Sequence, residues 1–279
     1  MSELTWVVEK SPYDEDNEAT RLAEEVKSQG HKVIVIPYKP FNDFYDIALE
    51  VLDKRSIFHG SIESAIRYGK LATAPGPYYD PSAFYCSKYS PFLGCEYVNW
   101  RARYYPSGLL KHMENNLYGS FVRPDSSRKF FKPQFVHPDN VHLVLAEIEH
   151  YCTPSQMIMV CPGVQILHEY RVWVIDGKAV TASRYHSDGV LDIFPNAPSE
   201  VLEYAERIFG ILNKAAPYIT PDNVCCVDVA EVIDNDDKRS IKVMEISAFG
   251  CAGLYACDLK KVVESVSRNA LSLSLPEIL

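Results

Sequence analysis

None of the eight cysteines of this 279-residue chain forms a Cys-x-x-Cys pair, and two of them, Cys225 and Cys226, are adjacent inside an apolar run. That spacing excludes the common zinc modules and offers no disulfide framework. Scattered buried thiols in a reducing, cytoplasmic setting are the expectation. No apolar run approaches the roughly 18 residues of a membrane span. The first residues lack both a basic stretch and a cleavable apolar stretch, so no secretory leader is expected. Positive charge is also in short supply: 28 Lys and Arg against 37 Asp and Glu give a net charge of −9. Such a balance argues against a protein that holds long nucleic acid by its phosphates, while leaving room for a local basic pocket. Repeats and low-complexity tails are absent.

What is present is an ordinary globular composition, 47% hydrophobic and 23% charged, in a chain long enough for about two domains. Near the start, strand patterns at residues 6–8, 31–37 and 56–61 alternate with helical patterns at 16–29, 47–52 and 63–68. That rhythm predicts a small α/β unit. Residues 73–105 are rich in proline and tyrosine and read as a long irregular connector, of the kind that binds a ligand or joins domains; packing of its aromatics onto the neighbouring domain is the favoured reading of those side chains. A boundary near residue 105 follows, giving domains 1–105 and 106–279. Beyond it the pattern predicts a helix at 106–118, strands at 120–123 and 129–136, a helix at 140–151 and a strand at 156–160. Two hairpins, 167–185 and 224–246, are then separated by a helix at 198–215, and a last helix begins at Asp258.

The hairpins carry the chemistry. The first turns at Asp176-Gly177, a strong hairpin signal. A regular register places Arg171 opposite Ala182 and Glu169 opposite Arg184, all on one face. Glu169 with one arginine makes an ordinary cross-strand ion pair, worth roughly 0.2–1 kcal/mol. A second guanidinium beside it suits a phosphate. In the second hairpin Asp228 falls opposite Glu245, within otherwise apolar strands. Two facing carboxylates in a half-buried sheet repel unless a cation or proton intervenes, and magnesium fits that need. The alternative is that one carboxylate points to solvent at a sheet edge. Upstream, Phe121-Val122-Arg123-Pro124 and Lys129 to Lys132 put cations on both arms of a polar turn, which can close over phosphates.

This order of elements resembles the ATP-grasp superfamily, in particular the clade named for an arginine and two lysines, whose members are often found in phage and bacterial genomes. The resemblance covers residues from about 56 to 265. It rests on Phe-Val-Arg-Pro with Lys129, on Glu169-Tyr170-Arg171, and on Asp228 with Glu245-Ile246-Ser247 and Gly253-Leu254-Tyr255. The fold it implies is α+β: two α+β subdomains gripping ATP, preceded by a small α/β domain. The site it implies places Arg123, Lys129 and Lys132 on phosphates or adenine, and the backbone of Met159 and Val160 as the adenine hinge. Glu169 lies in the nucleotide site, Arg171 and Arg184 stabilise the transferred phosphoryl group, and Asp228, Glu245 and Ser247 bind Mg2+. Many relatives carry asparagine where this chain has Ser247, a shorter oxygen donor on the same face. The implied activity is an ATP-dependent ligase forming ADP and phosphate. It joins an unidentified carboxylate to an amine or other nucleophile through an acyl phosphate. A kinase-like phosphotransferase and a non-catalytic nucleotide-binding protein remain the alternatives. The tyrosine-rich connector, with Arg101 and Arg103, is where an acceptor is expected to be read.

Overall fold

The helical stripe expected after the first strand forms as α1 (Glu18–Ser28), which buries Ala19, Leu22, Ala23 and Val26. The structure, a computed structural model, describes residues 4–12, 17–52, 54–71, 73–128, 130–215, 223–233 and 237–273. Around α1 lie β1 (Leu4–Lys10), β2 (Lys32–Pro37), α2 (Ala48–Val51), β3 (Arg55–His59), α3 (Ile62–Tyr68) and β4 (Ala74–Gly76). The strands form a parallel sheet in the order β2-β1-β3-β4, the α/β unit that alternation predicts.

The connector is less irregular than its composition suggested. It contains α4 (Cys86–Leu93), which carries Pro91 within it, and its Cys86, Tyr89 and Leu93 enter the main core. Next comes β5 (Arg103–Pro106), so a boundary at 105 falls inside a strand that pairs with β8 (Met157–Pro162). The single helix expected at 106–118 is instead two short ones, α5 (Ser107–Leu110) and α6 (Glu114–Leu117). Gly108, which favours unfolded backbone over helix, sits in the first. β6 (Ser120–Pro124) follows as expected, but the next strand shrinks to β7 (Gln134–Phe135) before α7 (Val141–Tyr151). These elements build an antiparallel sheet ordered β5-β8-β6-β7.

The larger sheet contains β9 (Gln165–Ile175), β10 (Lys178–Ser187), β11 (Val190–Pro195), β12 (Val224–Ile233) and β13 (Arg239–Ala248), ordered β11-β10-β9-β12-β13 and antiparallel throughout. β11 was not anticipated, although Asp188-Gly189 repeats the turn signal of Asp176-Gly177. All four residues have positive φ, between 49° and 76°, as paired hairpin-turn positions require. Side-chain alternation gives the sheet two faces. Tyr170, Val172, Val174, Cys225, Val227 and Val229 pack with α8 (Ser199–Lys214). Trp173, Ile175, Val224 and Cys226 pack with α1, β1 and α9 (Leu259–Ser272). Adjacent Cys225 and Cys226 thus point into different cores, and all eight thiols are free. α9 is capped by the Asp258 side chain, which accepts from the Lys261 amide. Among the described residues no helix is long and apolar enough to cross a membrane.

Candidate active site

A transverse row crosses the large sheet at Ser183, Arg171, Asp228 and Glu245, which sit on adjoining strands β10, β9, β12 and β13. The expected Asp228–Glu245 juxtaposition is present, and both residues are buried, at 2% and 9% exposure. Neither points to solvent. Arg171 donates from Nε to Asp228 Oδ1 at 2.9 Å and from Nη2 to Oδ2 at 2.7 Å. Arg123, on β6 of the smaller sheet, donates from Nη2 to Glu245 Oε1 at 2.8 Å. The row therefore reads plus, minus, minus, plus. The repulsion that called for a cation is met by two guanidiniums, one supplied by each sheet.

Burial acts against the charge on both arginines, but neighbouring groups more than offset it. Asp228 raises the Arg171 pKa above its ordinary value, and Cys86 and Glu245 lie among the groups that raise Arg123. Both stay charged throughout the physiological range. Arg171 is held on its remaining sides as well. Its Nη1 donates to the Gly253 carbonyl at 2.9 Å. Its guanidinium carbon lies 4.9 Å from the Tyr255 ring centre and 5.6 Å from that of Tyr185. Those two rings stack on each other at 4.9 Å.

The loop carrying Gly253 and Tyr255 is in turn anchored by the N-terminal unit. Glu18 Oε2 accepts the amides of Leu254 and Tyr255, and the Gly60 amide donates to the Gly250 carbonyl at 2.8 Å. A Cβ on Gly250 would lie 2.2 Å from the Pro77 carbonyl oxygen, so only glycine fits that close passage. Glu18 and Tyr185 escaped the sequence reading. Glu18 is 236 residues from its partner Leu254, and no local pattern reports such a contact.

Residues 105–265 match the model of an ATP-grasp domain, family 2 of the clade named for an arginine and two lysines. The chain belongs to that family. No protein of curated function matches it. Among solved structures, the ATP-grasp fold here is similar to D-cycloserine synthetase DcsG, with a TM-score of 0.61, 12% identity, and coverage of 96% of this chain and 100% of that one. D-alanine–D-alanine ligase from Bacillus anthracis gives 0.59 at 10% identity, covering 97% and 93%. The ATP-grasp ligase PsnB complexed with minimal precursor gives 0.52 at 12%, covering 96% and 99%. At these identities the likeness establishes the fold alone.

Within this ATP-grasp frame several expected positions move. The regular register of the first hairpin fails because Val180 bulges out of β10 between Ala179 and Thr181. One extra residue flips every side chain beyond it to the other face. Arg171 consequently faces Ser183, and Arg184 faces Tyr170 on the opposite side of the sheet, where it pairs with Asp192 at 2.6 Å. Arg184 does not join Arg171. After a second bulge Glu169 faces His186 rather than an arginine, with Oε2 3.2 Å from Nδ1. The strand expected to act as the adenine hinge has neighbours on both sides. Met159 lies opposite Tyr104 and Arg123, and Val160 opposite Arg103 and Val122. Their backbones are taken up by those ladders, so the exposed Gly163 and Val164, just past the end of β8, are better placed for a hinge.

Lys132 is exposed, and its amide donates to Glu147 of α7 at 3.3 Å; Lys129 lies outside the described residues. Ser247 shares the face of Asp228 and Glu245, opposite Cys226. Of the connector arginines, Arg101 lies over Trp100 at 4.6 Å, and Arg103 is exposed on β5.

The donors present fit magnesium. Asp228, Glu245 and Ser247 offer hard oxygens on one face, and a carboxylate that accepts from an arginine keeps further lone pairs. Among the described residues no group of three His, Cys, Asp or Glu side chains could enclose a metal. A bound magnesium would thus depend on phosphates and water for the rest of its shell, which is its usual habit.

Proposed function

We propose that this protein is an ATP-dependent ligase that joins a carboxylate to an amine or another nucleophile. The observation that carries the reading is the charge-balanced row of Arg171, Asp228, Glu245 and Arg123 at the junction of the two sheets of an ATP-grasp domain. Asp228, Glu245 and Ser247 are the residues we assign to Mg2+, which when bound supplies charge neutralisation on the phosphates. Arg171, fixed by Asp228, Gly253 and two tyrosine rings, is preorganised to stabilise the transferring phosphoryl group at no further ordering cost. Arg123, Lys129 and Lys132 are assigned to the phosphates, Glu169 to the nucleoside side, and Gly163 and Val164 to the adenine edge. Eight free thiols are in keeping with a cytoplasmic setting.

In the reaction so assigned, a carboxylate oxygen of the acid attacks the γ-phosphorus of ATP. The bond to the β–γ bridging oxygen breaks, and ADP leaves with its electron pair. The nucleophile then attacks the acyl carbon of the acyl phosphate, loses a proton, and expels inorganic phosphate. Positioning and electrostatics do most of the work in such transfers.

Incubation with ATP, magnesium, pooled carboxylic acids and hydroxylamine tests the assignment. ADP, phosphate and an acid-dependent hydroxamate are expected. Release of AMP with pyrophosphate would overturn the acyl-phosphate route. A phosphorylated product that resists hydroxylamine would convert the reading to a phosphotransferase.

A further inference from the structure

Beside the turn that follows β6, a cavity of about 600 Å3 opens between that turn, the connector and α3. Its walls include Tyr79, Tyr85, Phe130 and Met157, with Asp125 and Arg128 as the charged members. Asp125 is already satisfied, since its two oxygens accept from the Ser87 amide at 2.7 Å and the Ser87 hydroxyl at 2.6 Å. Tyr79 is pinned through its hydroxyl, 2.7 Å from Ser127 Oγ, and stacks on Phe84. Arg128 is the cation of the cavity wall. It makes no ion pair among the described residues, and its Nε, like those of Arg55 and Arg184, is buried with no hydrogen-bond partner there. A cavity-lining guanidinium with no carboxylate paired to it offers an acidic ligand a charge-assisted, fork-shaped partner.

We propose that this cavity seats the acid that the ligase activates: a carboxylate with an aromatic or extended apolar body. The body lies among Tyr79, Tyr85 and Phe130, and the carboxylate faces Arg128. The cavity borders the turn assigned to the phosphates, so an acid held there is adjacent to the group it attacks. The inference rests on the ligase reading for the acid's fate, but the seat itself can be tested without turnover.

Calorimetry with 3-phenylpropanoate and with succinate on the nucleotide-free protein is the direct measurement. Saturable binding of 3-phenylpropanoate is expected, with succinate at least ten-fold weaker. Arg128→Gln, which breaks no ion pair among the described residues, is expected to weaken 3-phenylpropanoate by roughly ten- to a hundred-fold. The same variant is expected to leave the affinity for AMPPNP with magnesium within two-fold. Tyr85→Ala is expected to narrow the preference over succinate. The proposal is overturned if Arg128→Gln weakens AMPPNP instead, because the cavity then belongs to the nucleotide. It is equally overturned if wild type binds neither acid or prefers succinate. If 3-phenylpropanoate binds through Arg128 but no hydroxamate forms with any acid, the seat stands and the ligase reading fails.

Discussion

Arg171 and Arg128 lie in the two parts of the molecule that meet at the site, and the fold treats them oppositely. On the large sheet, Arg171 arrives already matched: two hydrogen bonds to Asp228, one to a carbonyl, and the stacked rings of Tyr185 and Tyr255 beside it. On the turn of the smaller sheet, Arg128 makes no ion pair among the described residues, and its buried Nε has no hydrogen-bond partner among them. Strand positions fix a charge by register, so a guanidinium there is neutralised as the sheet forms. A turn has no such ladder, and its charge waits for a ligand. The first kind of arginine stabilises the protein and preorganises the site; the second contributes chiefly to binding.

Substitutions can break that contrast. The largest effect is expected for Arg171→Met, which leaves Asp228 buried without its cation. Removing one member of a buried pair costs about 3–5 kcal/mol, readable in urea denaturation. Adding Asp228→Leu should restore most of the loss, because an apolar pair of similar volume tolerates that environment. A double variant as unstable as the single one would mean that Arg171 acts through Gly253 and the tyrosines instead. Arg123→Met follows, at roughly 1.5–3 kcal/mol, since one hydrogen bond to Glu245 is lost rather than two. Arg184→Ala should cost less than about 1 kcal/mol, because its partner Asp192 is 45% exposed. Its ATP turnover should also stay within about two-fold of wild type. A large fall in turnover would reinstate Arg184 beside Arg171 and refute the bulged register. Arg128→Gln should be the mildest for folding, within about 0.5 kcal/mol of wild type, despite its effect on ligand.

The same contrast explains how much the sequence discloses. Asp228 opposite Glu245 is legible because the expected register is the one found at that pair, the bulge at Met244 lying just beside it, and a slip by two residues keeps the pair on one face. The register of the first hairpin is not, although its Asp176-Gly177 turn is correctly placed. The bulged Val180 packs against the Trp173 cluster, a tertiary contact that no local pattern encodes. The guanidiniums that balance the two carboxylates also escape a strand-by-strand reading, since Arg123 lies 122 residues from Glu245 on a different sheet. Alternation shows which charges share a face, but not which distant strand delivers their partner. The connector misleads for a related reason: its prolines and tyrosines look like loop chemistry, yet Cys86 to Leu93 gains its helix from tertiary burial.

The central claim is that Asp228 and Glu245, although each is matched by an arginine, form the place where magnesium and the phosphates of ATP meet. Calorimetric titration of AMPPNP with and without magnesium, into wild type and into Asp228→Asn/Glu245→Gln, tests it directly at a temperature where both remain folded. The account predicts that magnesium strengthens nucleotide binding to wild type by at least ten-fold and has little effect on the double variant. Equal magnesium dependence in the two proteins would contradict it and leave the row as a structural clamp between the sheets.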